Sequence, residues 1–71
     1  MLKKRSITIK GHSTSISLEA IFWEALSEIA NTQEKSIASL VSEIDAKRST
    51  QEKFGLSSAI RVYILDYFKN K

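Results

Sequence analysis

Gly11-His12-Ser13-Thr14-Ser15-Ile16-Ser17-Leu18-Glu19 alternates small polar residues with larger ones and then runs directly into a helical pattern. Period-two alternation puts Thr14, Ile16 and Leu18 on one face of an extended strand and Ser13, Ser15 and Ser17 on the other. Upstream, Arg5-Ser6-Ile7-Thr8-Ile9-Lys10 alternates in the same way, with Ile7 and Ile9 opposed to Ser6, Thr8 and Lys10. Gly11-His12 breaks the alternation, so the pattern predicts strands over residues 5–10 and 13–17 that can fold about a Gly-containing turn as a hairpin.

Three helices are expected after the strands. Ser17 is the expected N-cap of the first, because an acid in the first turn, Glu19, suits the positive end of the helix dipole. Phe22, Trp23, Leu26, Ile29 and Ala30 then recur at helical spacing, with Glu24, Ser27, Glu28 and Asn31 on the other side, which predicts a helix over residues 18–32. A polar connection follows, and Ser36 can cap a second helix over residues 36–47, where Ile37, Leu40, Val41 and Ile44 form one stripe. Residues 48–55 read as a polar loop. Residues 56–69 are helical again, with Ile60, Tyr63, Ile64, Tyr67 and Phe68 on one side and Val62 and Leu65 on another, so this helix is apolar over enough of its circumference to be buried against a partner.

Seventy-one residues, 42% hydrophobic with two Gly and no Pro, suit one folded domain spanning residues 1–71. A chain this short buries a limited share of its surface, and with no Cys and one His neither a disulfide nor a zinc site is at hand to brace it. Self-association is the remaining common route, so a homodimer is expected. No apolar run reaches the length of a membrane span and the basic N-terminus lacks a signal-peptide core, so a cytoplasmic protein without a membrane partner is expected. Residues 1–13 carry +4, residues 14–45 carry −5 and residues 46–71 carry +4. A basic arm on an acidic body directs a polyanion to the arm.

The same residues speak against catalysis. His12 has no nucleophile and carboxylate at motif spacing, and there is no phosphate-binding loop, dinucleotide fingerprint or metal-ligand cluster. No enzyme, catalytic residue, metal or cofactor is expected, and His12 is assigned to shaping the turn or touching a phosphate.

The order of strand, helix, short turn and helix over residues 13–47 resembles the ribbon-helix-helix superfamily of Arc-type and methionine-type repressors. The string Gly-His-x-Thr-Ser-Ile-x-Leu-Glu-x-x-Phe-Trp-x-x-Leu, residues 11–26, looks like a subfamily of short bacterial members. The resemblance implies a mainly α fold with an N-terminal β-ribbon, built as an intertwined homodimer in which each chain gives one strand to a ribbon that enters the DNA major groove. By position, Ser13, Ser15 and Ser17 would meet base edges, and Lys35 with Ser36 at the start of the second helix would grip a phosphate. Lys3, Lys4, Arg5, Lys10 and His12 complete the expected DNA-binding set.

Two departures from the family pattern stand out. The extra N-terminal strand, folded back, would give a dimer four strands, too wide for a groove that admits two, so Lys4, Ser6, Thr8 and Lys10 are an alternative DNA face. The extra C-terminal helix is expected to extend the core, or else to hold another protein. The function expected is a double-stranded DNA-binding transcriptional regulator. The alternative is a protein-interaction module, antitoxin-like or an adaptor, on the same scaffold.

Overall fold

The computed structural model describes residues 2–47 and 55–70, in the order β1 (Leu2–Ile9), β2 (His12–Glu19), α1 (Ala20–Thr32), α2 (Ile37–Lys47) and α3 (Leu56–Lys69). Most of the expected polar loop, residues 48–54, lies outside them. An N-terminal ribbon followed by three helices is the expected architecture, and both strands of the ribbon come from one chain.

β1 and β2 pair antiparallel without a break from Ile9↔His12 to Leu2↔Glu19. Lys10 and Gly11 form the turn, with φ of 50° and 83°. Two successive positive φ values mark a type I′ turn, whose twist matches that of the flanking strands, and Gly11 is the residue that adopts its half of it without steric cost.

The strands are longer than the alternation alone suggested, and this corrects the start of α1. Ser17 is not a helix cap: it pairs with Lys4, inside the ladder. Ending the strand there would free three rungs, from Ser17 to Glu19, and turn Leu18, fully buried, out of the core. Glu19 takes the N-cap position instead, without a side-chain capping bond.

α1 ends in a left-handed residue, Glu34 at φ 56°, with Lys35 N–H donating to the Ala30 carbonyl and Glu34 N–H to the Asn31 carbonyl. That pairing is a Schellman closure, which reverses the chain in a few residues. Ser36 then caps α2, its Oγ accepting from the Ser39 N–H at 3.0 Å, as expected.

The core is assembled within one chain. Ile7, Ile9, Ile16 and Leu18 from the ribbon meet Trp23, Leu26 and Ile29 of α1, Leu40, Val41 and Ile44 of α2, and Ile60 and Ile64 of α3. Each helix contributes the stripe its spacing implies. Burial of α3 is one-sided, however: Ile60 and Ile64 are buried and Tyr63 and Tyr67 half-buried, whereas Val62 and Leu65 face out. The apolar circumference of α3 is expected to be buried against a partner, and within this one chain the ribbon, α1 and α2 cover only one side of it.

Polar ties fix α3 at two levels. Gln33 Nε2 donates to the Tyr63 hydroxyl at 3.2 Å, and Arg61 Nε and Nη2 both donate to Glu19 Oε1, each at 2.9 Å. Glu19's own backbone N–H and then Arg61 lower its carboxyl pKa below the ordinary value of 4.5. A depressed carboxylate pKa stabilises the fold above the unfolded value, and that stability is lost as pH falls through the folded value. Glu19→Gln should therefore melt slightly below the wild type at pH 7, with the gap closing in acid below about pH 4.5. A gap unchanged across that range in paired thermal melts would show that the carboxylate charge plays no part.

Candidate nucleic-acid interface

The ladder register sorts the candidate residues by face. Lys4↔Ser17, Ser6↔Ser15 and Thr8↔Ser13 lie on the side away from the helices, while Lys3↔Leu18, Arg5↔Ile16, Ile7↔Thr14 and Ile9↔His12 lie on the side toward them. Burial follows the same division, with Ile7, Ile9, Ile16 and Leu18 under the ribbon and Lys4, Ser6, Thr8, Ser13 and Ser15 exposed. The three serines of β2 and the Lys4, Ser6, Thr8 set of β1 are thus one surface rather than alternatives.

Backbone geometry sharpens that surface. In a two-residue hairpin the pair flanking the turn exchanges both backbone bonds, and bonded pairs then alternate with non-bonded ones. Ser6/Ser15 and Thr8/Ser13 fall on the non-bonded rungs, where Cα atoms approach to about 4.5 Å and side chains stand closest. The result is two rows of hydroxyls standing off a ribbon roughly 25 Å long and two strands wide. A hydroxyl both donates and accepts, so this face can meet phosphate oxygens or any base edge, with little power to choose between bases.

The cations divide differently from the sequence expectation. Lys4 stands on the hydroxyl face and Lys10 at the exposed tip of the turn. Lys3 and Arg5 face the helices instead. The Lys3 carbonyl accepts from Trp23 Nε1 at 2.8 Å, and the Arg5 guanidinium lies over the Trp23 ring, 4.9 Å from its centroid. Both residues line an open groove of about 450 Å³ with Trp23, Glu24, Glu28 and Asn31, where carboxylates share the space with the cations. Arg5 and Trp23 therefore pin β1 to α1. Sequence reading missed this role of Trp23; the one signal for it is an aromatic placed one turn into a helix that follows a basic strand.

The remaining candidates lie off the hydroxyl face. His12 is exposed beside the turn, opposite Ile9 on the helix side. Lys35 forms an ion pair with Glu43 of α2, and Ser36 is occupied as the α2 cap. Among the described residues no group of three or more His, Cys, Asp or Glu comes together, and no helix is long and apolar enough to cross a membrane.

No curated protein matches this chain. Among solved structures it is similar to an uncharacterized protein from Bordetella pertussis Tohama I, with a TM-score of 0.80 and 28% sequence identity. The match covers 97% of this chain and 57% of that one, so this chain spans little more than half the length of its structural relative. Residues 2–68, from the first strand to the last turn of α3, match the family model of the ribbon-helix-helix domain, and the chain belongs to that family.

Proposed function

We propose that this chain is a DNA-binding transcriptional regulator, acting as a cytoplasmic homodimer without catalytic activity, and that its own hairpin is the ribbon that enters the major groove. Ribbon-helix-helix domains are commonly transcription regulators or antitoxins, which supports the class. The observation that carries the reading is the outward face of the ribbon: Ser6, Thr8, Ser13, Ser15 and Ser17 with Lys4 among them, and no apolar side chain from Lys4 to Ser17 on that side. A major groove about 12 Å wide admits two strands, and one hairpin supplies both. The difficulty of a four-stranded ribbon does not arise when each protomer reads with its own pair.

In this arrangement the hydroxyls lie along base edges and backbone, and Lys4 and Lys10 reach flanking phosphates. Lys3 and Arg5, on the other side of the ribbon, contribute long-range positive potential rather than groove contacts, and His12 lies on that same side beside the turn. Lys35 and Ser36 act as a phosphate grip only if Lys35 leaves Glu43, with the Ile37 and Ala38 N–H groups supplying the donors.

Such a face implies affinity dominated by phosphate contacts. If a dimer neutralises four or more phosphates, affinity for duplex DNA falls by about 100-fold or more between 50 and 200 mM salt, from a slope of roughly 0.9 per phosphate. Mobility-shift titrations across that range test this. A dissociation constant that changes less than about threefold contradicts the reading, since such a response corresponds to fewer than one phosphate.

A further inference from the structure

β1 is an edge strand, and its outer side is open. On the ladder with β2, Lys4, Ser6 and Thr8 fall on non-bonded rungs, so their backbone N–H and C=O groups point away from β2. Among the described residues no hydrogen bond takes up these groups. A row of free backbone groups is a template for another strand, and proteins blunt such edges with bulges, Pro or charge. Here the pairing runs without a bulge from Ile9 to Leu2, and the chain has no Pro. Charge is the guard that remains, in Lys3, Lys4 and Arg5 at three successive positions.

We propose that this edge docks an extended, acidic segment of another protein, which adds to β1 as a third strand and thereby excludes DNA. Docking itself is independent of the hairpin reading above; the exclusion of DNA rests on it. Three observations converge on such a segment. Free backbone groups at alternate residues match the repeat of an extended chain, which is how a strand adds to an exposed sheet edge.

Room is the second. The groove of about 450 Å³ is lined by Lys3 and Arg5 of β1 and by one stripe of α1 from Ala20 to Asn31, with no residue of β2, so it opens on the β1 side of the hairpin. Side chains on the helix side of an added strand have that space to enter. Charge is the third. Lys3, Lys4 and Arg5 repel another basic strand and attract an acidic one, since cross-strand neighbours of like sign destabilise a sheet. Glu24 and Glu28 on the α1 wall keep acids out of the groove, which places them on the outward side beside Lys4, with small polar residues facing Ser27 and Asn31. A ribbon of three strands no longer fits a major groove that admits two, so the partner releases DNA by widening the ribbon.

Fluorescence anisotropy of a labelled, end-capped peptide of four Glu-Thr repeats, titrated with the full chain at low salt without DNA, tests the docking. The expected result is saturable binding, at least about tenfold weaker for the same peptide N-methylated throughout, which keeps its charges and loses its backbone donors. Ser6→Pro removes an N–H that faces away from β2 and so spares the ladder; it is expected to weaken binding about tenfold with the circular dichroism retained. Absence of saturable binding, or equal binding of the methylated peptide, overturns the proposal, the latter because charge alone then suffices. With a short duplex added, the unmethylated peptide is expected to displace it and the methylated one to leave it bound; simultaneous binding of peptide and duplex overturns the exclusion. A chain that docks the peptide and binds no duplex at low salt refutes the hairpin reading alone.

Discussion

Trp23→Ala is expected to unfold most of the protein at room temperature. The indole is 3% exposed, donates its N–H to the Lys3 carbonyl at 2.8 Å and carries Arg5 on its face at 4.9 Å. Truncating a buried aromatic of this size costs about 3–5 kcal/mol. A single core in a chain this short supplies a net stability of roughly the same size. The loss would fall first on the N-terminal half of β1, which is joined to α1 through that ring. Trp23→Phe separates the contributions: it keeps most of the apolar volume and loses the hydrogen bond, at about 1–2 kcal/mol. Urea titrations followed by circular dichroism read both. An alanine variant as stable as the wild type would mean that β1 is not anchored through Trp23.

The second large effect is on binding. Thr8→Glu/Ser15→Glu places two carboxylates on the hydroxyl face at diagonal positions, since Thr8 pairs with Ser13 and Ser15 with Ser6. Both side chains are exposed, so the fold loses little. Against DNA, the same two charges oppose phosphates that Lys4 and Lys10 attract, and affinity at low salt should fall by about 100-fold or more. Thr8→Ala/Ser15→Ala removes only hydroxyl contacts, and a loss of about tenfold is expected at the ordinary net value of a hydrogen bond. A glutamate variant that is folded and binds like the wild type would remove the hydroxyl face from the interface.

Much of this architecture is legible in the chain because it rests on periodicity. Ile7, Ile9, Ile16 and Leu18 show the strand period, and Trp23, Leu26 and Ile29, then Leu40, Val41 and Ile44, show the helical one; all are buried. Ser36 is legible as a cap because a cap is a local bond. Ser17 misleads for the opposite reason. Its cap chemistry is real, but eight cross-strand pairs compete with it, and its ladder partner, Lys4, is too far back along the chain to be visible in local sequence. The cations are the other case. Lys3, Lys4 and Arg5 are indistinguishable as charges in a row, yet the pleat sends Lys4 outward and the other two toward the helices, where Trp23 holds Arg5. The apolar circumference of α3 shows how many faces are sticky, not how many neighbours one chain supplies.

An NMR titration of the labelled chain with a short duplex at low salt locates, residue by residue, the surface through which the hairpin meets DNA. If the hydroxyl face enters the groove, amide shifts are expected to concentrate at Lys4, Ser6, Thr8, Lys10, Ser13, Ser15 and Ser17 and to fade as salt is raised. Shifts confined to α3 or to the Trp23 groove, or none at all at low salt, would contradict it.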